Sequence, residues 1–361
     1  MSKHNNGFIE INNGCDLKFC FEGISEKFHI SFQKTLRIPD DNKKYQLPPS
    51  LGTFPLEHVE NYAKKVPSQW LEHGGVFMPM YQSEAMWLSF RSENGRPFAI
   101  KIASGKINAV SGKEWTNFLD KDKQDYMVNP GQPWLDGFHV GKNVIRQFVA
   151  VPLKSGYTVE EQITGEAEHG GIQVIVYPMK EIYWQKELQR MEEERKRLLE
   201  KMNTKGGGIL RSRGLSSDTY LCASAQSEVS YAINSVSADM GLGAGGYMTQ
   251  EIYEDKYGFD VWDQSKGLRV FVHLLNSQQY EFVTGKPNPS KPLSAKDYQA
   301  HHYPWFDYYS DLKALDNSEI LSKIDSIGSL QIKNGEEIIP DSSFQLNIPY
   351  HQIHKIKNGK W

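Results

Sequence analysis

A charged, helix-patterned stretch that runs into three consecutive glycines divides this chain, and the division constrains its fold more than any other feature. Glu181 to Met202 combines dense charge with spaced apolar residues. Thr204-Lys-Gly-Gly-Gly208 and the basic Arg211-Ser-Arg213 follow. On either side lie long blocks rich in glycine, aromatics and short alternating apolar runs. The pattern predicts two folded units joined by a helical spacer. With 361 residues, each unit is large enough to bury its own core.

Within the spacer, Trp184, Leu188, Met191, Leu198 and Met202 recur at helical steps, a short coiled-coil-like seam interrupted by Arg195. Glu192–Lys196 and Glu193–Arg197 are i,i+4 pairs worth roughly 0.2–0.5 kcal/mol each. Residues 180–215 hold ten Lys and Arg against six Glu. The first reading is a solvated helix packed on its own domain, and the next is a homodimer through residues 184–202. An RNA- or membrane-facing helix is disfavoured because acids interrupt the bases throughout.

The formal charge of −3 argues against a nucleic-acid binder that relies on bulk positive charge. Apolar runs such as Phe148–Leu153 are far shorter than the ~20 residues of a membrane-spanning helix. The first residues carry neither an apolar signal core nor an Arg-rich transit pattern, so a cytoplasmic location is expected. Cys15, Cys20 and Cys222 are too few and too scattered for a disulfide framework, and no second cysteine pair completes a metal site. No metal is expected, and no residue pattern specifies a cofactor.

Phe8–Ile11, Leu17–Phe21 and Phe28–Phe32 read as strands, with Asn12-Asn-Gly14 as a turn. Further strands are expected at 85–90, 98–102, 144–153 and 172–177. Leu268–Leu275 is the clearest buried candidate, and helices are expected at 55–66 and 312–327. Asn334-Gly335 predicts a C-terminal hairpin turn. The expected fold is α+β and β-rich, with two mainly antiparallel units joined by the charged helix and β-hairpin extensions at both ends. The segments are an N-terminal hairpin extension (1–35), a first unit (36–180), the helix and Gly-rich linker (181–215), a second unit (216–329) and a C-terminal hairpin tail (330–361).

Gly241-Leu-Gly-Ala-Gly-Gly246 satisfies the letter of the dinucleotide fingerprint, but the segment before it is a poor buried strand. A tight structural loop is the first reading, and an anion-binding loop built on Gly241, Gly243, Gly245 and Gly246 is the functional one. Glu166-Ala-Glu-His-Gly-Gly171 and the acids Asp255, Asp260 and Asp263 offer carboxylates for acid–base work, and acids in turns are ordinary. His301-His302 precedes Tyr303-Pro-Trp-Phe-Asp-Tyr-Tyr309, where Trp305 and Asp307 form a candidate ligand platform. Met78–Gln82 with Met86-Trp87, and Gly131–Gly137, read as an adaptable surface or as loops tucked under a sheet. His273 reads as a hydrogen-bonded core residue. No P-loop, H-E-x-x-H or G-x-S-x-G is present.

Gly74–Gln82, Ile145–Pro152 leading to Gly165–Gln173, Gly241–Gly246 with Gln250-Glu-Ile-Tyr253, and Tyr303–Tyr309 together resemble a family of uncharacterised bacterial and fungal proteins. The resemblance covers roughly residues 36–328. Members are sometimes labelled "integral membrane protein", which the absence of an apolar spanning segment here contradicts. The resemblance implies no activity and transfers no catalytic residue.

These observations favour a soluble binding or assembly protein of unknown ligand or partner, with the Gly-rich and aromatic loops as its surface. The rival is a hydrolase of a glycan or similar polar substrate. There Glu166, Asp260 and Asp263 supply acid and base from carboxylates roughly 5–10 Å apart.

Overall fold

The computed structural model describes residues 6–204, 239–289, 305–336, 348 and 352–358. Its longer strands are β1 (Gly7–Asn12), β2 (Asp16–Phe21), β3 (Phe28–Thr35), β4 (Val76–Met80), β5 (Ala85–Ser92), β6 (Phe98–Ser104), β7 (Val144–Pro152), β8 (Ile172–Pro178), β9 (Asp239–Met248), β10 (Leu268–Asn276), β11 (Trp305–Ser310) and β12 (Ile353–Asn358). The main helices are α1 (Ser68–His73), α2 (Val159–Thr164), α3 (Glu181–Thr204) and α4 (Ile327–Asn334). Every strand expected from the sequence between residues 8 and 275 forms, most of them extended by a few residues.

Among the described residues one sheet of sixteen strands carries the fold, in the order β1-β2-β3-β5-β7-β9-β10-β8-β6 along its main path. Pairing along that path is antiparallel, whereas β4 joins β10 in parallel. The sheet coils on itself. Phe98 of β6 meets Phe21 and Phe28 across the interior, with ring centroids 5.5 and 5.1 Å apart. Alternating residues supply the core: Leu17, Phe19 and Phe21 on β2, and Val270, Val272 and Leu274 on β10. The β1–β2 turn uses Asn13 and Gly14 with φ of 51° and 73°, as the Asn-Gly pair predicts.

The two-unit division is corrected by this pairing. β7, from before the charged helix, is bonded along its length to β9, from after it, with Val149 opposite Gly243 and Val151 opposite Gly241. β8 and β10 pair likewise across the division. One apolar core reaches from Leu17 to Ile324. These strands carry apolar residues on both faces and need a bonded neighbour on each edge. β5 and β6 of the first block fill one edge of β7 and β8, and strands from the other block supply the second.

The N-terminal hairpin is therefore not an extension, since β3 pairs with β5 over its whole length. The C-terminal hairpin is replaced by α4, which Ser326 caps and Gly335 ends in a left-handed conformation with φ of 70°. Asn334-Gly335 is a helix C-cap rather than a strand turn, because a left-handed glycine serves either end equally well. The helix expected over 312–327 is reduced to a 3-10 turn at Leu321–Lys323. In place of the helix at 55–66 stand a short strand and a 3-10 turn, with α1 following.

The charged helix forms as α3, and its first turns are anchored. Trp184 is 1% exposed in a cluster with Tyr177 and Trp262. The Arg96 guanidinium lies 5.6 Å over the Trp184 ring, donates to the Met179 carbonyl at 2.8 Å and pairs with Glu181 at 3.1 Å. Trp184 thus belongs to the body of the protein and not to a dimer seam, while Leu188, Met191, Leu198 and Leu199 remain exposed. The Gly-rich segment, Arg211, Arg213 and Cys222 lie outside the described residues. No described helix is long and apolar enough to cross a membrane.

Candidate functional site

The coiling of the sheet leaves a seam. Among the described residues β1 pairs with β2 on one edge only. On β10, pairing with β8 covers Leu268–Val272, whereas pairing with β4 on the opposite edge begins at Val272. Among the described residues, Leu268–Phe271 therefore have a bonded strand on one side and face β1 across a gap. Asn6 closes one end by donating to the Ser265 carbonyl at 2.8 Å. The other end is closed by Val76 and by residues 58–60. The resulting groove has a volume of about 600 Å³, within the range of roughly 300–1,000 Å³ common for small-molecule sites. Ile9, Leu17, Val76 and Val270 give it apolar surface; Glu10, His58, Glu60, His73 and Arg269 supply polar groups.

Gly75 is required at the junction. Its φ is +90°, and a Cβ there would strike the Phe271 carbonyl. That contact shows the Phe271 carbonyl aimed at the seam edge, while the Val272 carbonyl turns toward Gly171 on the β8 side. Strand alternation then aims the backbone groups of Arg269 into the gap as well.

One wall is a ladder of stacked rings. Arg269, Phe271 and His273 alternate along the outer face of β10, and α1 lies over them. The Arg269 guanidinium sits 4.4 Å over Phe271. His73 stacks on Phe271 at 4.6 Å with planes 16° apart, and Trp70 stacks on His273 at the same distance and angle. His169 approaches His73 at 5.4 Å. Burial holds all three imidazoles below the ordinary histidine value, with His273 lowered to about 4. His73 is pushed further by His169 and Arg269, and His169 by Lys106. His273 donates from Nε2 to the Gly74 carbonyl at 3.0 Å, as the core reading expected.

The structure does not bring the expected site residues together. Glu166 is exposed on the turn after α2, before β8 begins. Asp260 and Asp263 sit past the other end of β8, where the Asp263 amide donates to the Pro178 carbonyl at 2.9 Å. The seven residues of β8 separate them by roughly 20 Å at about 3.3 Å per residue. That is well beyond the reach of a glycosidase carboxylate pair.

The glycine run is corrected from a loop to a buried strand. Gly241, Gly243, Gly245 and Gly246 all lie in β9. A Cβ on Gly241 would stand 2.8 Å from Thr158 Cγ2, and one on Gly243 would stand 2.8 Å from the Tyr157 carbonyl. The glycines let the α2 N-terminus and Ile327 of α4 lie directly on the sheet, the ordinary use of glycine where chains approach closely. Trp305 is 4% exposed and packs with Tyr45, Leu47 and Met248, so it anchors β11 and offers no open ring face. Asp307 is half-buried on the same strand. Met78, Met80 and Met86 are core. His301 and His302 lie outside the described residues.

His58, Glu60, His73 and Arg269 carry no sequence motif. The available signal was the parity of β10, where Arg269, Phe271 and His273 share one face and the other face is wholly aliphatic. No cluster of three or more metal-ligating side chains occurs among the described residues. Comparison with protein-family models, curated proteins and solved structures gave no match.

Proposed function

We propose that the protein is a binding protein that holds a small ligand in the seam between β1 and β10. The observation that carries this reading is the one-sided pairing of Leu268–Phe271 opposite β1, which borders a groove with apolar and polar walls. Strand edges supply backbone hydrogen-bonding groups at fixed spacing, and His73 and Arg269 supply polar contacts beside them. Gly241–Gly246 and Trp305, first expected to form the surface, are buried in packing, which favours the seam over them. A cytoplasmic location and membership of the uncharacterised family remain part of the proposal, and neither supplies an activity.

Native mass spectrometry followed by denaturing mass spectrometry on the same sample tests this. A mass excess lost on denaturation, and absent from an Ile9→Trp variant that fills the groove, is the expected result. A wild-type protein that carries no ligand, and that no member of a small-molecule panel stabilises thermally, would refute the reading. A ligand at one hundred times its Kd stabilises by about 2.7 kcal/mol, which such a screen detects easily.

Assembly through α3 is a second reading, favoured by the exposure of Leu198 and Leu199, 56% and 49%, on a charged helix.

A further inference from the structure

We propose that the stacked rings of His73, His169 and His273 form an acid-sensitive latch that holds α1 against β10, and that protonating them frees α1 and opens the groove. The opening of the groove rests on the groove being the binding site; the latch itself does not.

α1 has only six residues, and Pro67 before it gives no side-chain cap. A helix of one or two turns has almost no stability of its own in water, so α1 stays in place through its contacts. Trp70 packs on Phe77 at 5.7 Å in an apolar cluster, and the remaining ring contacts run through imidazoles. Trp70 lies on His273, His273 donates to the Gly74 carbonyl, and His73 lies between Phe271 and His169. A separate tie is Gln69, whose amide donates to the Glu168 carbonyl at 2.5 Å.

A proton entering this cluster meets cations from two sides. Arg269 lies beside Phe271 on β10, and Lys106 reaches in from the turn after β6. The neighbouring acids offset only part of this, Glu72 acting on His73 and Glu168 on His169, and the net shift of both imidazoles stays downward. Glu168 stands 3.1 Å from His169 Nε2 but is also paired with Lys106. Glu160 is buried and accepts the amides of Lys106 and Gly170. Glu72, on α1 itself, is exposed. Asp239, behind Trp70, is held up at about 6 by burial, so it loses its charge over the same acid range. Across the groove stand His58 and Glu60, both exposed.

The direction follows from the folded-state values, which lie below the ordinary 6.5. The latch is at full strength above that value and weakens as pH falls toward about 4, where His273 itself takes up a proton.

Amide hydrogen exchange on the full chain, corrected for the pH dependence of the chemical exchange rate, tests the latch at about pH 7.5 and about pH 4.5. Protection over residues 68–75 should fall about tenfold or more at the lower pH, the effect of one unit of pKa displacement. Protection over residues 98–104 should hold. In His73→Phe, which keeps the stack on Phe271 and removes one charge, and in His73→Phe combined with His169→Gln, the loss should shrink. Protection over 68–75 that is unchanged in the wild type, or that falls equally in whichever variant folds, overturns the proposal. The readout is helix protection, so a groove that takes no ligand leaves the result standing.

Discussion

Lys101 Nζ lies 2.6 Å from Asp125 Oδ2, with the two side chains 0% and 6% exposed. Lys101 also donates to Thr116 Oγ1 at 2.9 Å and to the Phe118 carbonyl at 2.7 Å. One buried cation on β6 therefore fastens the irregular segment that follows it. Lys101→Met leaves a buried carboxylate without its partner and should destabilise the protein by about 3–5 kcal/mol. Adding Asp125→Leu should recover part of that loss, because no charge is then stranded. Urea unfolding of the single and double variants measures both.

The glycines of β9 predict a steric penalty. A Cβ on Gly243 would also lie 3.0 Å from Ile327 Cδ1, so Gly243→Ala forces either the Tyr157 segment or α4 to move. The expected cost is about 1–3 kcal/mol. An alanine tolerated without loss of thermal stability would show that the crossing segments are loosely held.

Glu84 predicts a pH dependence. It is 6% exposed, its Oε1 has no hydrogen-bond partner among the described residues, and burial raises its carboxyl to about 7. The raised value favours folding fully below the ordinary 4.5, and the benefit is lost as pH rises toward 7. The span corresponds to about 3 kcal/mol as an upper figure. Glu84→Gln, which keeps an acceptor for the Tyr81 amide, should therefore gain stability relative to wild type as pH rises from 5 to 8. Chemical denaturation across that range should show the two curves diverging at the alkaline end; parallel curves would place the ionised carboxylate in a site that tolerates it.

The two halves of α3 should respond differently. Trp184→Ala removes a core side chain and should cost about 3–5 kcal/mol. Leu188→Asp with Leu198→Asp alters exposed positions and should change monomer stability by no more than about 0.5 kcal/mol each. If the helix joins two copies, the same pair lowers the sedimentation coefficient. An unchanged profile leaves α3 as a solvated helix of a single chain.

Much of the local structure was legible in the chain. Period-two alternation and β-branched runs located β3, β5, β6, β7, β8 and β10, and Asn13-Gly14 located the first turn, because strand faces and positive φ are local demands on residue type. The seam Trp184–Met202 located α3 for the same reason. Asn334-Gly335 shows the limit of that information, since one left-handed glycine ends a helix as readily as it turns a hairpin.

Long-range pairing was not legible. A strand such as Val144–Pro152 declares that it needs neighbours on both edges but not that Asp239–Met248 is one of them. The glycines of β9 likewise announce close approach without saying whether a ligand or Tyr157 approaches. The acids Glu166, Asp260 and Asp263 seemed combinable until β8 set them at opposite ends. His73 and Arg269 became neighbours only when α1 settled on the outer face of β10. By itself, then, the sequence determined which segments are strands and helices and which of their faces are apolar. The tertiary structure alone decided which edges meet, where the sheet fails to close, and therefore where a groove exists, because those outcomes depend on the balance of contacts between residues far apart in the chain.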